Sequence, residues 1–305
     1  MTRSLSTRSA IGVIGTGAMG LGVVQSLVRA GFPVRSRDIR PEAQSAAAAA
    51  GAVVCATPAQ LARQCSIVIL LVVDAPQVER VLFGEAGAAA QLKHGSVVIV
   101  SSTVAPASMA ALKPRLSNLD VRLIDAPVSG GPRRAADATM TMMISGDPDT
   151  IEECKPIFHA ISAKRFILGS EPGDAAAYKI LNNQLAAVNL AAGAEAITVA
   201  LARGLDPQRL LEVVNASSGG SWIVADRMAR ALAGDHATHA ASKILSKDVG
   251  LAVDAASALG VDVPLARAAR ERFAAALAAG YAEADDCELL RFCCELNSVR
   301  WPRGA

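Results

Sequence analysis

Lys179, Asn182 and Asn183 are the residues whose types and spacing most directly invite chemistry. Lys179 and Asn183 stand four apart, so on a helix they share a face, with Asn182 beside them. Ile180, Leu181, Leu185 and a long series of alanines surround them. An ammonium and a carboxamide are costly to bury in such company unless they are paired or used. They read either as a solvated or loop-capping group, or as a proton-transferring amine with amides that orient it or its substrate.

A second group bears on that choice. Gly15-Thr16-Gly17-Ala18-Met19-Gly20 follows the apolar run Ile11-Gly12-Val13-Ile14 and opens a segment, Met19 to Ala30, with helical periodicity that stops at Gly31. Strand, G-x-G-x-x-G, helix is the context in which this pattern binds a dinucleotide. Gly15 permits the tight turn, Gly17 lets a pyrophosphate approach the backbone, and Gly20 lets helix and strand pack closely. The N–H groups at the helix start then face the phosphates. The next strand, Val34 to Arg37, ends on Asp38. An acid about twenty residues past the glycine loop meets the adenine ribose 2′-hydroxyl and repels a 2′-phosphate. This favours NAD over NADP, although Arg37 and Arg40 flank the acid and are able to hold such a phosphate.

The elements that must position these groups follow from periodicity. Ala52 to Val54, Ile67 to Val73, Val97 to Val100, Leu119 to Ile124, Met140 to Ile144 and Arg165 to Leu168 read as strands, with helices between them. Thr57-Pro58-Ala59-Gln60 is a capping box with proline at the first helical position. The methionines between Thr139 and Met143 are strand filler. Strand–helix alternation implies an α/β, Rossmann-type, doubly wound and mainly parallel sheet. Ligands of such sheets sit beyond the carboxyl ends of the strands, which places the segments after Val73, Val100 and Asp125 at that edge. There Ser129-Gly130-Gly131 reads as an ordinary loop or as a nest of N–H groups for a carboxylate.

From Gly173 to Gly204 runs a long proline-free stretch, read as one helix starting at Asp174. After it no strand signal returns. Asp206-Pro207 to Val214, Ser242 to Leu259, Pro264 to Ala279 and Asp285 to Leu296 are helical, and Asn215 to Trp222 is a polar loop into another helix. The expected organisation is a dinucleotide-binding domain, 9–172, and an all-α domain, 173–305, that begins with the long helix. Trp222 is either a core anchor or a pocket wall.

Composition bounds the function. In 305 residues the net charge is only +2 and aromatics make up 3%, which argues against nucleic acid and anionic membranes as partners. Mean hydropathy is +0.34, much of it from alanine. The most apolar window, Leu185 to Ala202, is interrupted by Asn189 and Glu195 and reads as a buried helix rather than a span. Residues 1–10 carry Arg3 and Arg8 without an apolar run, so no secretory signal is expected and the first nine form a tail. The six cysteines show no C-x-x-C spacing and fit scattered free thiols in a reducing cytoplasm. His236, His239 and the late cysteines do not assemble a metal-ligand pattern.

Taken together, these motifs resemble the β-hydroxyacid dehydrogenase family, which includes 3-hydroxyisobutyrate dehydrogenase, over nearly the whole chain and in order. Gly15 to Gly20 is similar to its cofactor signature, Asp125-Ala126-Pro127-Val128-Ser129-Gly130-Gly131 to its substrate signature, Lys179 to Asn183 to its catalytic one, and Lys247-Asp248 to its late Lys-Asp pair. Ser101 to Pro106, Ser221-Trp222 and Lys247 to Leu251 resemble a threonate-oxidising branch, whereas Gly220 and His236 to His239 depart from it. Ala138 and Ala175 stand where the family usually has glycine. The resemblance implies that Lys179 is the general acid/base and that Asn183 orients it or the substrate. It implies that Ser129, Gly130, Gly131 and Asn182 bind substrate. Gly15, Thr16, Gly17, Ala18, Met19, Gly20, Asp38, Val72, Val73, Thr103 and Lys247 would bind NAD, with NADP as the alternative. The bottom-up reading agrees, because a lysine in an apolar cleft beside a cationic nicotinamide has its pKa lowered toward neutrality. The expected activity is NAD-dependent oxidation of a small β-hydroxy acid of the L-threonate or 3-hydroxyisobutyrate kind by a homodimer or homotetramer. The alternatives are an NADPH-dependent reductase of tartronate or succinic semialdehyde, and a non-catalytic dinucleotide-binding module.

Overall fold

Strand and helix in the first half are set by which neighbour each apolar residue meets. The computed structural model describes residues 10–301, so the expected N-terminal tail lies outside them. Nine strands form one sheet: β1 Ala10–Ile14, β2 Val34–Arg37, β3 Val53–Val54, β4 Cys65–Leu70, β5 Val97–Val100, β6 Arg122–Asp125, β7 Val128–Ser129, β8 Met140–Gly146 and β9 Ser162–Gly169. Their order is β3-β2-β1-β4-β5-β6-β8-β7, with β9 on the other side of β8. Strands β1 to β6 are parallel; β8 runs antiparallel to β6 and β7. This is the doubly wound sheet expected.

The helices between the strands are α1 Ala18–Arg29, α2 Pro41–Ala49, α3 Pro58–Ala62, α4 Ala75–Phe83, α5 Pro106–Ser117, α6 Gly131–Ala136 and α7 Pro148–Ile161. They cover both faces, which is why the central strands are apolar throughout rather than alternating with polar residues. Ile67 and Ile69 of β4 and Val97 and Ile99 of β5 join a core with Val23, Val24 and Leu27 of α1 and Phe158 of α7. The intervening Val68, Leu70, Val98 and Val100 join Leu61, Val78, Leu82, Met109 and Leu116 from α3, α4 and α5. Met140 and Met142 are fully buried strand residues, as expected.

Strand β4 ends at Leu70, three residues before the expected Val73. Leu70 pairs with both Ile14 and Val100, the last residues of β1 and β5; beyond it Leu71 N–H still donates to Ile14 O, while Val73 N–H turns to the Gln77 side chain. Val72 and Val73 therefore lie in the loop. Likewise β6 begins at Arg122, because Asp120 adopts a left-handed turn at φ 54°. The capping box is realised by a slightly different pairing: Thr57 Oγ accepts from Gln60 N–H, but Gln60 Oε1 accepts from Ala56 N–H.

The long helix α8, Asp174–Ala202, forms as expected. The chain divides into two compact units within it, the first ending at Lys179 and the second starting at Ile180. In the second unit follow α9 Pro207–Asn215, α10 Trp222–Leu232, α11 Ser242–Ala258, α12 Pro264–Ala276 and α13 Leu289–Leu296. Helix α12 stops short of Ala279 because a wider turn, Leu277–Tyr281, follows it and contains Gly280 at φ 99°. Leu190, Ala194 and Ile197 of α8 pack with Met228, Val249, Phe273 and Leu290. Buried Asp285 accepts from the N–H groups of His239, Ala240 and Cys287 and pairs with Arg230, fastening the loop before α11. Burial would raise its pKa, yet these donors hold the carboxyl below its ordinary range.

Only 39% of the most apolar window of α8 is buried, and Tyr178, Leu181, Leu185 and Val199 are exposed. A helix apolar on every side satisfies its own core with one face and leaves another uncovered. All six cysteines are free and buried. Burial pushes the Cys65 and Cys154 thiols up to about 12, which keeps them unreactive.

Ala138, in the turn after α6, has φ 56°. A left-handed alanine costs about 1–2 kcal/mol, which gives a physical reason for glycine at this position in the resembling family. Ala138→Gly should raise stability by about 1 kcal/mol or less, part of the relieved strain being offset by the freer unfolded chain. Calorimetric melting of the two proteins checks this; a lower midpoint for the glycine variant counts against strain at Ala138.

Candidate active site

The glycine loop is built as the sequence implies. Gly15 has φ +89°, and a Cβ there would lie 2.6 Å from Leu71 O. A Cβ on Gly20 would lie 1.9 Å from Gly15 O, so helix α1 approaches the turn as closely as it does only with glycine. Gly17 is the N-cap of α1, with no side chain to satisfy the helix start and no acid in the first turn. Helices α3, α4, α7, α9 and α10 are capped by Thr57, Asp74, Asp147, Asp206 and Ser221, whereas α2, α5, α6, α11 and α12, like α1, lack a side-chain cap. A helix start left without a side-chain cap, framed by glycines, fits an anionic pyrophosphate.

Asp38, 6% exposed, leaves the end of β2 and turns back on this loop. Its Oδ2 accepts from Thr16 N–H at 2.8 Å, and its Oδ1 accepts from the N–H and Nε of Arg40 at 3.0 and 3.2 Å. Burial would raise its pKa, but these Arg40 and Thr16 bonds outweigh that and hold the carboxyl below its ordinary value. The Arg40 guanidinium reaches over Gly17, 3.0 Å from where a Cβ would stand. Arg37 donates to the Asp38 carbonyl.

At the carboxyl edge of the sheet, Val72 and Val73 follow β4, Thr103 follows β5, and Ser129-Gly130-Gly131 joins β7 to α6. Gly130 and Gly131 have φ +139° and +75°, and nothing lies within 4 Å of a Cβ built on Gly131. Asp125, also at this edge, has no exposed surface. Its Oδ2 accepts from Gly173 N–H at 2.9 Å and Ala176 N–H at 2.8 Å, at the start of α8. Burial pushes its pKa up to about 6, against the opposing effect of those bonds. Lys179, one turn after Ala176, is buried at 7% exposure.

In the second unit, buried Asn183 donates from Nδ2 to Asp248 Oδ2 at 2.6 Å, while its Oδ1 accepts from Asn182 at 3.0 Å. The other Asp248 oxygen lies 2.6 Å from Lys247 Nζ. Trp222 is 58% exposed at the start of α10, which excludes a core anchor. His236 meets Glu288 at 2.7 Å, and among the described residues no cluster of three His, Cys, Asp or Glu is placed to hold a metal.

Comparison with known proteins agrees with these features. Residues 10–169 match the NAD binding domain of 6-phosphogluconate dehydrogenase, and residues 173–293 match the NAD-binding model of NADP-dependent 3-hydroxyisobutyrate dehydrogenase. L-threonate dehydrogenase of Cupriavidus necator is 44% identical over 92% of this chain and 95% of its own length. The Escherichia coli K12 enzyme of the same name is 39% identical over 92% and 93%. The chain belongs to the 3-hydroxyisobutyrate dehydrogenase family. It is an NAD(P)-dependent hydroxyacid dehydrogenase acting on a small molecule. A crystal structure of the Salmonella typhimurium 3-hydroxyisobutyrate dehydrogenase matches it with TM-score 0.86 at 36% identity, covering 93% of this chain and 99% of that one.

Within each unit the structure joins motifs that the sequence left apart. Thr16 and Asp38 meet in the first, Asn183 and the Lys247-Asp248 pair in the second. The spacing of Lys247-Asp248 does not reveal that Asp248 holds Asn183; likewise Asp125 is legible in the sequence as the first residue of the substrate-resembling motif, and Ser145 not at all. An acid at the carboxyl end of a strand was the available signal for Asp125.

Two outcomes follow. Gly20→Ala places a methyl against Gly15 O and should weaken NAD binding at least tenfold by calorimetric titration; wild-type affinity would show that the turn yields without consequence. Because the Asp125 pKa is raised from 3.8 to about 6, the native state binds more protons than the unfolded one between those pH values. Stability contributed by this group therefore falls as pH rises through that window. Asp125→Asn should flatten that part of a urea-unfolding series against pH, and an unaltered slope refutes the assignment.

Proposed function

We propose that this dehydrogenase oxidises an L-threonate-like hydroxy acid with NAD, with Lys179 as the general base. The observation that carries the reading is a buried lysine one turn into a helix whose first N–H groups are held by the sheet, in a family of hydroxyacid dehydrogenases. Bound NAD supplies the hydride acceptor. A neutral Lys179 amine takes the substrate hydroxyl proton as the carbon bearing it gives up hydride and becomes a carbonyl; the reverse step makes Lys179 the acid.

Asn183 is suited to orient substrate or lysine, because its amide is fixed on both sides by Asp248 and Asn182. The N–H groups of Ser129, Gly130 and Gly131 receive the carboxylate, for which the open space at Gly131 leaves room. Asn182 adds a substrate contact. Gly15 to Gly20 would cradle the pyrophosphate, and Asp38 would take the adenine ribose hydroxyls. Val72, Val73, Thr103 and Lys247 line the cofactor. Residues 9–172 are assigned to dinucleotide binding and 173–305 to substrate binding and assembly. The uncovered apolar residues of α8 favour a homodimer or homotetramer, and the chain is placed in the cytoplasm. Substrate choice rests on the similarity of this chain to L-threonate dehydrogenases. A second reading, reduction of tartronate or succinic semialdehyde with NADPH, is favoured by Arg40 beside Asp38, since its guanidinium is able to take a 2′-phosphate.

Lys179→Ala should bind NAD with affinity close to wild type while kcat falls by about 10²–10⁴; near-normal turnover removes the assigned role. A panel of three- and four-carbon hydroxy acids and semialdehydes, followed by NAD(P)H absorbance, should give its highest kcat/KM with L-threonate and NAD. Asp38→Ser should narrow the preference for NAD. A wild-type preference for NADP, or for a semialdehyde, selects the second reading.

A further inference from the structure

Helix α8 is not capped in the way most helices are. The first N–H groups of a helix have no partner within it and are ordinarily met by a side chain just before them. Here the donors at Gly173 and Ala176 go to Asp125 Oδ2, a residue 48 and 51 positions earlier, at the end of β6. The donor at Ala175 goes to Ser145 Oγ on β8 at 3.0 Å. Ser145 and Asp125 are paired residues of the antiparallel β6–β8 ladder, and the serine hydroxyl lies 3.4 Å from the same Oδ2. Both side chains are completely buried. A local cap would satisfy the helix; this remote one also fastens it to two strands. Ala175 itself is fully buried at this junction.

We propose that the Asp125–Ser145 pair is a positioning device for Lys179, setting how far along its axis and at what rotation α8 begins. Lys179 is three residues beyond Ala176, a rise of about 4.5 Å, a little under one helical turn. Any slide or fraying of the first turn is passed to the amine with little chain between to absorb it. Misplacement of a catalytic group by about 1 Å is enough to cost about 100-fold in rate. The inference rests on the reading of Lys179 as the general base. The two bonded N–H groups both use Oδ2, whereas Oδ1 has no hydrogen-bond partner among the described residues. An asparagine whose carbonyl oxygen replaces Oδ2 therefore keeps the fastening without the charge, and serves as the conservative variant.

The experiment compares Asp125→Ala, Asp125→Asn, Ser145→Ala and Lys179→Ala, using the hydroxy acid with the highest wild-type kcat/KM. Measured are NAD affinity by calorimetry, kcat and KM, and the solvent deuterium isotope effect on kcat. Asp125→Ala and Ser145→Ala should keep NAD affinity within about twofold and lose about 10- to 100-fold in kcat. Their isotope effect should rise, because proton transfer to a displaced amine becomes limiting. Asp125→Asn should recover kcat to within about threefold of wild type. Ser145→Ala carries the test if Asp125→Ala does not fold. Unchanged kcat and isotope effect in Ser145→Ala, or an Asp125→Asn protein as slow as Asp125→Ala, overturns the positioning role. If Lys179→Ala is inactive while the alanine variants at 125 and 145 are not, only this inference fails; if Lys179→Ala is active, the reading beneath it fails as well.

Discussion

A carboxylate removed from water must find donors, and in this protein that requirement ties distant parts of the chain together. Asp38, Asp125, Asp248 and Asp285 are all buried. Each takes at least one hydrogen bond from a segment remote in sequence: Thr16 for Asp38, the start of α8 for Asp125, Asn183 for Asp248, and the loop at His239 and Ala240 for Asp285. A hydrogen bond to a charged group contributes about 1.5–3 kcal/mol, and stranding the charge costs more. These bonds are therefore strongly directional constraints on where turns and helix starts sit, whereas the apolar cores constrain mainly volume. Three of the four lie at or beside residues assigned here to cofactor, substrate or proton transfer.

This division explains what was legible in the sequence. The alternation of strands and helices, the doubly wound sheet and the long helix all come from local apolar periodicity and breaker residues, which a linear reading sees directly. The glycine loop was legible for the same reason, since Gly15, Gly17 and Gly20 act within six residues of one another. Asp38 was found because its distance from that loop is a property of the βαβ unit. Asp125 with Ser145, and Asp248 with Asn183, were not, because each pairing closes a gap that depends on how strands and helices pack. Strand ends were misjudged where a neighbour decides them: β4 stops at Leu70 because β1 and β5 end there, although Leu71, Val72 and Val73 continue the apolar run. The apolar helix α8 showed the complementary limit. Its composition announces a helix but not which of its faces the same chain covers.

The glycine loop and the Ser129-Gly130-Gly131 loop of the first unit share a support that periodicity also could not reveal. Gly22 of α1 sits so close to α6 that a Cβ there would lie 2.6 Å from both Ala135 Cβ and Ala136 N. Ser26 donates its hydroxyl to the carbonyl oxygens of Ala135 and Ala136, and Arg29 reaches the latter at 2.6 Å. The carbonyls at the end of α6, which a six-residue helix cannot satisfy itself, are thus taken by α1. Helix α1 begins at the glycine loop and α6 begins at Ser129-Gly130-Gly131, so the loops proposed to hold the dinucleotide and the substrate carboxylate rest on one packed pair. A hydride donor and acceptor must meet within a fraction of an ångström, and a scaffold that let these loops drift separately would lose that alignment. The small residue at 22 and the hydroxyl at 26 accordingly fix these two loops to one another and are more than filler on the buried face of α1.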